Sequence, residues 1–508
     1  MELFNNAINS INSVIWSLAL VVFLVCVGVY FTVRTKGFQF RRFVDMCKLL
    51  GEHKEESEAE GLSSFQAFAA TVGSRVGMGN IAGVATAIFF GGPGAVVWMW
   101  ITALIGACTA CIESTIGQMY KDKNMGELIG GPQYYMEKGL HCRAFGIAFA
   151  IATLIGPGLL MPALQTQSTA IALKASFGLP MYVSGILICI CLGLVVVGGI
   201  QRIGKVAELL APIMCIVYLA CGIIIMITHA SAVPGAFALM FRCAFAKSSM
   251  YAGITGSMIA WGVKRGLYSN DAGDGMGPIL SSTAECSHPV KQGLVQGLSV
   301  YIDTIIVCSV TAVSLIVTGL YNVSANAAGT KLITEGLPGY EYGVNYMQQC
   351  MVRNLGGNIG GIILAVLIAV FVFTTLMSYY YQMESNLRFL FGENKKIVRV
   401  FQVIYLFANF LGVMVNGQVI WSMGDTGAGL MAWFNLIAIV LLSPVALKAI
   451  NDYDRQKKLG LDPIYDPATV GLEDQNGIWA KYVEKKKARG DYENPQLGYA
   501  NIKKSRIG

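Results

Sequence analysis

Apolar positions along this chain come in long runs, neither alternating nor striped at helical spacing, and the polar positions collect between them. A hydrocarbon layer about 30 Å thick takes about 20 apolar residues as a helix. Inside lipid the backbone must bond within its own segment, so each run predicts a spanning helix. The predicted spans are 14–33, 64–90, 94–118, 145–175, 181–199, 206–228, 251–284, 290–319, 358–388, 398–416 and 427–449. If the first crosses from outside to inside, Arg34, Lys36, Arg41, Arg42, Lys48, Lys121, Lys123, Lys138, Arg143, Arg202, Lys205, Lys291, Arg388, Lys395, Lys396 and Arg399 all fall on inner connections. The outer connections hold mainly Lys331 and Arg353. This bias predicts an outside N-terminus and an inside C-terminus in a cell membrane, plasma or inner. The first run, WSLALVVFLVCVGVYFTV, has no small-residue cleavage pattern after it and reads as a retained span.

Composition agrees. Of 508 residues, 55% are hydrophobic and only 13% charged, and the mean hydropathy is +0.57, which excludes a set of soluble domains. The expected organisation is an N-terminal helix and inner connection (1–60), a core of ten helices (61–449) and a polar inner tail (450–508), part helix and part disorder. Much of the net charge of +7 belongs to inner segments such as YVEKKKARG, which suits an anionic leaflet and not nucleic acid. The 13 cysteines, scattered through apolar stretches such as CTAC, read as single buried thiols.

Two spans differ from the rest. Span two contains ATVGSRVGMGNIAGVATAI, with Gly77 and Gly79 two residues apart, and span seven contains LYSNDAGDGMGPILSS, with Gly273, Gly275 and Gly277. Each glycine costs a helix interior about 1 kcal/mol against alanine. Polar residues accompany the glycines: Ser74, Arg75 and Asn80 in the first, Ser269, Asn270, Asp271 and Asp274 in the second. Both spans therefore read as broken helices, and broken backbone at membrane depth survives only where it lines protein or water. A break exposes amides at one half-helix and carbonyls at the other, so it holds an anion beside a cation. An amino-acid zwitterion with Na⁺ has that charge pattern. With the first span set aside, the breaks open two halves of five helices each, the expected signature of an inverted-repeat transporter.

Several stretches, among them GNIAGVATAIFFGGPGAVVWMW, GPQYYMEKGL, RGLYSNDAGDGMGP, HPVKQGLVQGLSVYIDTIIVC and FVFTTLMSYYYQMES, resemble the alanine or glycine:cation symporter family, from about residue 60 to 449. The resemblance implies an all-α polytopic membrane protein with the leucine-transporter-like 5+5 inverted repeat, two discontinuous helices and one extra N-terminal transmembrane helix. It also implies sodium-coupled uptake of small neutral amino acids, alanine or glycine, with sodium as the co-transported ion and no other cofactor. In its terms the amides of Met78 and Gly79, beside Gly77, meet the substrate carboxylate, and Gln165 joins the pocket. Asp271, flanked by Ser269, Asn270 and Gly273, holds the ammonium by a charge-assisted hydrogen bond. Asn80 serves one sodium; the carbonyls of Gly73 and Val76 with the hydroxyls of Thr374, Thr375 and Ser378 serve a second, as hard oxygen ligands suit a hard cation. Thr375 and Tyr379 also border the substrate.

The sequence departs from the family at Met78 (usually Thr), Gln167 (Asn), Asp274 (Leu) and Tyr379 (Trp), and Asp274 and Tyr379 bear on pocket size and polarity. GGIQRIGKV resembles a phosphate loop but lacks its Ser or Thr and a preceding strand, so it reads as an inner loop. GMGNIA lies in an apolar helix and not in a dinucleotide fold. His53, His141, His229 and His288 form no metal motif. Among the other intramembrane charges, Arg265 is expected to pair with Asp303. Two rival functions remain in view: an amino-acid-gated channel or sensor, which lacks saturable coupled flux, and an intramembrane aspartyl protease, whose acids come from two helices whereas Asp271 and Asp274 share one segment.

Overall fold

The computed structural model of the chain describes residues 2–51, 61–124, 126–245, 254–326, 329–414, 417–474 and 477–489. Helix α1 (Glu2–Ile15) precedes α2 (Leu18–Arg34) and two short helices, α3 (Phe38–Arg41) and α4 (Phe43–Leu49). The first broken span is α5 (Ser64–Arg75), a π-helical turn (Gly79–Gly83) and α6 (Val84–Gly91). After α7 (Ala95–Met119) come a small antiparallel hairpin, β1 (Asp122–Asn124) with β2 (Glu127–Ile129), and α8 (Pro132–Lys138). Helix α9 (Arg143–Ile155) runs through a π turn into α10 (Met161–Phe177), followed by α11 (Met181–Val196), α12 (Gly199–Thr228) and α13 (Val233–Ala244). The second broken span is α14 (Thr255–Asn270) and α15 (Met276–Ser281); α16 (Pro289–Val300) then continues through π-helical Tyr301–Cys308 into α17 (Ser309–Thr318). A second hairpin, β3 (Asn322–Ser324) with β4 (Leu332–Glu335), leads to α18 (Val344–Asn354), α19 (Asn358–Phe391), α20 (Lys395–Gly412), α21 (Gly417–Leu441), α22 (Ser443–Lys458) and α23 (Ile478–Arg489).

Seven helices among the described residues are long and apolar enough to cross a membrane unaided, from Asn6–Arg34 to Val419–Leu441. The two broken spans are not among them because their halves are short. Ile190 and Leu194 on α11, Leu209 and Ile216 on α12 and Val403 and Phe407 on α20 stand exposed, while Asn80, Asp303, Thr375 and Asp271 are buried. Apolar surface outside and polar groups inside is the distribution that lipid selects. Small residues let the helices close in: a Cβ on Gly293 of α16 would lie 2.2 Å from the Thr115 hydroxyl oxygen of α7.

Local chemistry starts the first broken span. Ser63 accepts from the Gln66 amide while the Gln66 side chain accepts from the Ser63 amide, a reciprocal cap on α5. Just before it, the Leu62 amide donates to the Thr283 carbonyl (2.9 Å) and the Glu285 amide donates to the Leu62 carbonyl (3.0 Å). This strand-like pairing ties the start of the first broken span to the end of the second.

Several expectations are corrected. Gly199 turns the chain with φ +67, and GGIQRIGKV forms the first turns of α12, its Ile200 and Ile203 buried, where a loop was expected. The last apolar helix runs Gly417–Leu441 and not 427–449: polar Asp425 looked like part of a connection, but it is buried with a partner. Helices α13 and α18 were not foreseen, being short and one-sided where the reading sought apolar runs. The C-terminal stretch is docked. The Tyr465 amide donates to the Ser287 carbonyl (2.8 Å), Lys291 pairs with Asp462 (2.8 Å), and buried Trp479 lies under Lys121. Residues 490–508, His53 and the start of the predicted seventh span, 251–253, lie outside the described residues.

Candidate functional site

The two breaks touch. Helix α5 stops at Arg75, Val76 turns extended (φ −76, ψ 90), and the π turn opens at Gly79. A Cβ on Gly79 would sit 3.0 Å from the Ser269 Cα and 3.1 Å from the Tyr268 carbonyl oxygen, so only glycine lets the second broken helix pass this close. On the other side, a Cβ on Gly77 would meet the Thr375 hydroxyl at 2.7 Å, and one on Gly73 the Thr374 Cβ at 3.0 Å. Gly73, Gly77, Gly79, Ser269, Thr374 and Thr375 are thereby brought together, with Tyr379 buried one turn beyond Thr375 on α19.

Hydroxyls of α19 point at carbonyls of α5. Thr375 donates to the Gly73 carbonyl (2.9 Å) and Ser378 to the Ala70 carbonyl (3.0 Å). Thr374 turns back to the Phe371 carbonyl of its own helix (2.8 Å). The Met78 amide donates to the Gln165 side-chain oxygen (3.3 Å), and the Gly77 amide to the Asn80 side-chain oxygen (2.9 Å).

Asn80 carries the link onward. Its side-chain amide donates to Asp303 Oδ1 (2.6 Å), while Ser269 and Thr304 both donate to Asp303 Oδ2 (2.7 Å each). One fully buried carboxylate thus takes hydrogen bonds from both breaks. The expected Arg265–Asp303 pair does not form. Arg265 instead grips Asp425 of α21 through both carboxylate oxygens (2.8 and 2.6 Å), Lys264 joins at 2.6 Å, and Trp421 stacks on the guanidinium. The sequence reading noticed Asp303 but missed its place at the site. The available signal was an acid in mid-span, inside a protein whose neighbouring spans are broken.

The second break distributes its polar groups in two directions. Asp271 ends α14 with φ +50, in the left-handed region that Asp tolerates better than most side chains. It is buried, and its Oδ2 has no hydrogen-bond partner among the described residues. Asn270 holds the break itself: its oxygen accepts from the Ala272 amide (3.0 Å) and its amide donates to Thr304 (3.2 Å). Gly273 and Asp274 make their hydrogen bonds with other partners. The Gly273 amide donates to Glu113 of α7 (3.3 Å), and Asp274 Oδ1 accepts from the Met276 amide (2.9 Å), opening α15. Glu113 in turn accepts from Asn435 of α21 (2.7 Å), and Tyr135 donates to Asn435. Glu113 was not foreseen as a support for the break.

A cavity of about 740 Å³ lies toward the Gly91 end, bordered by Ala82, Phe89, Gln167, Ser168, Tyr342 and Trp421. Gln167 therefore stands at its wall. Phe90 stacks on Trp261 (4.6 Å) and Phe89 on Tyr342 (4.7 Å), an aromatic layer beside the Arg265–Asp425 pair. At the opposite end the Leu62–Ala284 pairing closes the two broken spans against each other.

Comparison with known proteins follows this geometry. A putative sodium/proton-dependent alanine carrier protein, YrbD of Bacillus subtilis (strain 168), is 44% identical over 474 residues, covering 93% of this chain and 97% of that one. The sodium/alanine symporter AgcS of Methanococcus maripaludis is 32% identical, covering 90% and 98%. Among solved structures, MhsT in complex with L-phenylalanine superposes with a TM-score of 0.55 at 15% identity, covering 84% of this chain and 95% of that one. This likeness establishes the leucine-transporter-like arrangement of the helices. The description "Sodium:alanine symporter family" matches residues 1–467; the chain belongs to that family, and it is a multi-pass membrane transporter and not an enzyme.

Proposed function

We propose that the protein carries a small neutral amino acid, alanine or glycine, into the cell together with sodium. The observation that carries this reading is the convergence of Asn80 and Ser269, one from each broken helix, on the Asp303 carboxylate. A cation seated there would take oxygens from Asp303, Ser269 and Thr304, and from Asn80 once its side chain turns its oxygen from the Gly77 amide toward Asp303, a hard-ligand set suited to Na⁺. A second cation would lie between α5 and α19, where Thr375 meets the Gly73 carbonyl and Ser378 the Ala70 carbonyl; the carbonyls of Gly73 and Val76 and the two hydroxyls would supply its oxygens. Thr374 would join by rotating its hydroxyl away from Phe371.

The substrate would bridge the breaks. Its carboxylate takes the amides of Met78 and Gly79, displacing the Met78–Gln165 bond and freeing Gln165 to contact it. Its ammonium faces Asp271, whose unmatched oxygen supplies the acceptor. Tyr379 limits side-chain size. Asp274 accepts from the Met276 amide with one oxygen and keeps the other buried without a hydrogen-bond partner among the described residues, so it borders the substrate beside Asp271 and sets the polarity of the pocket. Glutamine is the competing substrate, since a relative 35% identical over 477 residues is described as a probable sodium/glutamine symporter, GlnT of Bacillus subtilis (strain 168).

Asp303→Asn tests the assignment. With alanine binding followed by calorimetry in sodium or choline, the sodium concentration for half-maximal binding should rise at least tenfold, with alanine affinity at saturating sodium close to the parent. An unchanged sodium requirement in a variant that melts like the parent would remove Asp303 from the cation site.

A further inference from the structure

We infer that a basic cleft between the end of α2 and helix α22, far from the breaks in sequence, binds a phosphate group. The cleft has a volume of about 430 Å³, and its walls include Arg34, Lys36 and Arg41 on one side and Asp454, Arg455 and Lys458 on the other. Asp454, the one acid in this lining, is already engaged: Arg41 reaches its Oδ2 at 2.8 Å and Arg42 its Oδ1 at 2.6 Å. Arg455 pairs with Asp452. Arg34, Lys36 and Lys458 have no ion-pair partner among the described residues, although Arg34 leans over the Tyr30 ring at 5.6 Å. Three uncompensated cations converge on one concavity, and such an arrangement calls for a compact anion with several acceptor oxygens.

The place of the cleft narrows the ligand. Arg34 ends an apolar helix, and Val33 and Phe40 beside it stand exposed. Headgroup charge and acyl chain therefore meet protein groups of matching character within a few residues. Basic pockets at the edge of spanning helices are suited to anionic lipid headgroups. The shared chemistry is a phosphate ester or free phosphate; a phosphodiester carried by an acidic phospholipid uses the apolar rim as well. This site is separate from the transport site, and its test does not depend on transport.

The full-length protein in neutral detergent is titrated with phosphatidylglycerol, with phosphatidylcholine and with sodium phosphate at constant ionic strength. Bound lipid is read by native mass spectrometry and melting temperature by fluorescence. The parent is compared with Lys36→Gln/Lys458→Gln and with a charge-matched control, Lys395→Gln/Lys396→Gln, on another connection. Phosphatidylglycerol adducts should be at least fivefold more abundant on the parent and the control than on the cleft variant, with phosphatidylcholine indifferent to all three. Sodium phosphate raising the melting temperature of parent and control, but not of the cleft variant, as much as phosphatidylglycerol does would assign the site to soluble phosphate. Equal phosphatidylglycerol binding by parent and cleft variant, or equal loss in the control, would overturn the site.

Discussion

Asp271 presents a buried carboxylate oxygen with no partner among the described residues, at the point where a broken helix ends. An unpaired charge there is expensive, and in the function proposed above a ligand ammonium would supply the missing partner. Asp271→Asn keeps the shape and removes the charge; loss of such a pair costs about 2–5 kcal/mol. Alanine affinity of the folded variant, measured by scintillation proximity at saturating sodium, should fall more than tenfold. Thr375→Val keeps the volume and removes the hydroxyl that reaches the Gly73 carbonyl. It should raise the sodium concentration for half-maximal uptake and leave alanine affinity at saturating sodium nearly unchanged, whereas a selective alanine defect would place Thr375 on the substrate alone. Asp271 was readable from the sequence because glycines and amides surround it. Asp303 and Arg265 were visible only as isolated charges in apolar helices, and one-dimensional order gives no distance between helices. Their partners Asn80 and Asp425 lie 223 and 160 positions away in sequence.

The broken helices were legible as elements because glycine spacing and polar residues are local signals. Within Tyr301–Cys308 the apolar pattern continues through the π-helical widening, so nothing in the sequence announces it, yet that widening carries Asp303 and Thr304. The docking of the C-terminal stretch was equally hidden, since Tyr465, Trp479 and Asp462 find partners that are distant in sequence. A contact beside them, between His288 and Asp452 of α22, is pH-sensitive. His288 Nδ1 accepts from the Val290 amide, so Nε2 carries the proton and faces Asp452 at 3.4 Å, with Lys291 and Asp462 nearby. Burial holds the imidazole below its ordinary range, against the upward pull of Asp452. Burial raises Asp452, but its hydrogen bond from His288, with Gln456 and Arg455, brings it below the usual carboxylate range. The unfolded histidine, titrating near about 6.5, takes up a proton before the folded one, so stability falls as pH drops through that value. The depressed aspartate adds a loss only below about pH 4. Hydrogen exchange, corrected for intrinsic rate, should show faster opening around 287–290 and 452–466 at pH 5.5 than at 7.5; equal protection would contradict the contact's role.

At the scale of the whole molecule, the two broken spans are pinned at one end by the Leu62–Ala284 pairing and flanked at the other by Arg265, Lys264 and Asp425 under an aromatic layer. Removing one partner of a buried pair strands the other, at about 3–5 kcal/mol. Asp425→Asn should therefore lower the thermal stability of the purified protein clearly, and a parent-like melt would show that Arg265 finds equal support elsewhere. The central claim is that a cation and an amino acid occupy adjoining sites and cross together. Its most direct measurement is flux of labelled alanine into proteoliposomes with a sodium gradient imposed and the proton gradient collapsed by ionophore. Alanine should accumulate above its external concentration with sodium outside and choline inside, and discharge when a sodium ionophore is added. Uptake that proceeds equally with choline on both sides would contradict sodium coupling.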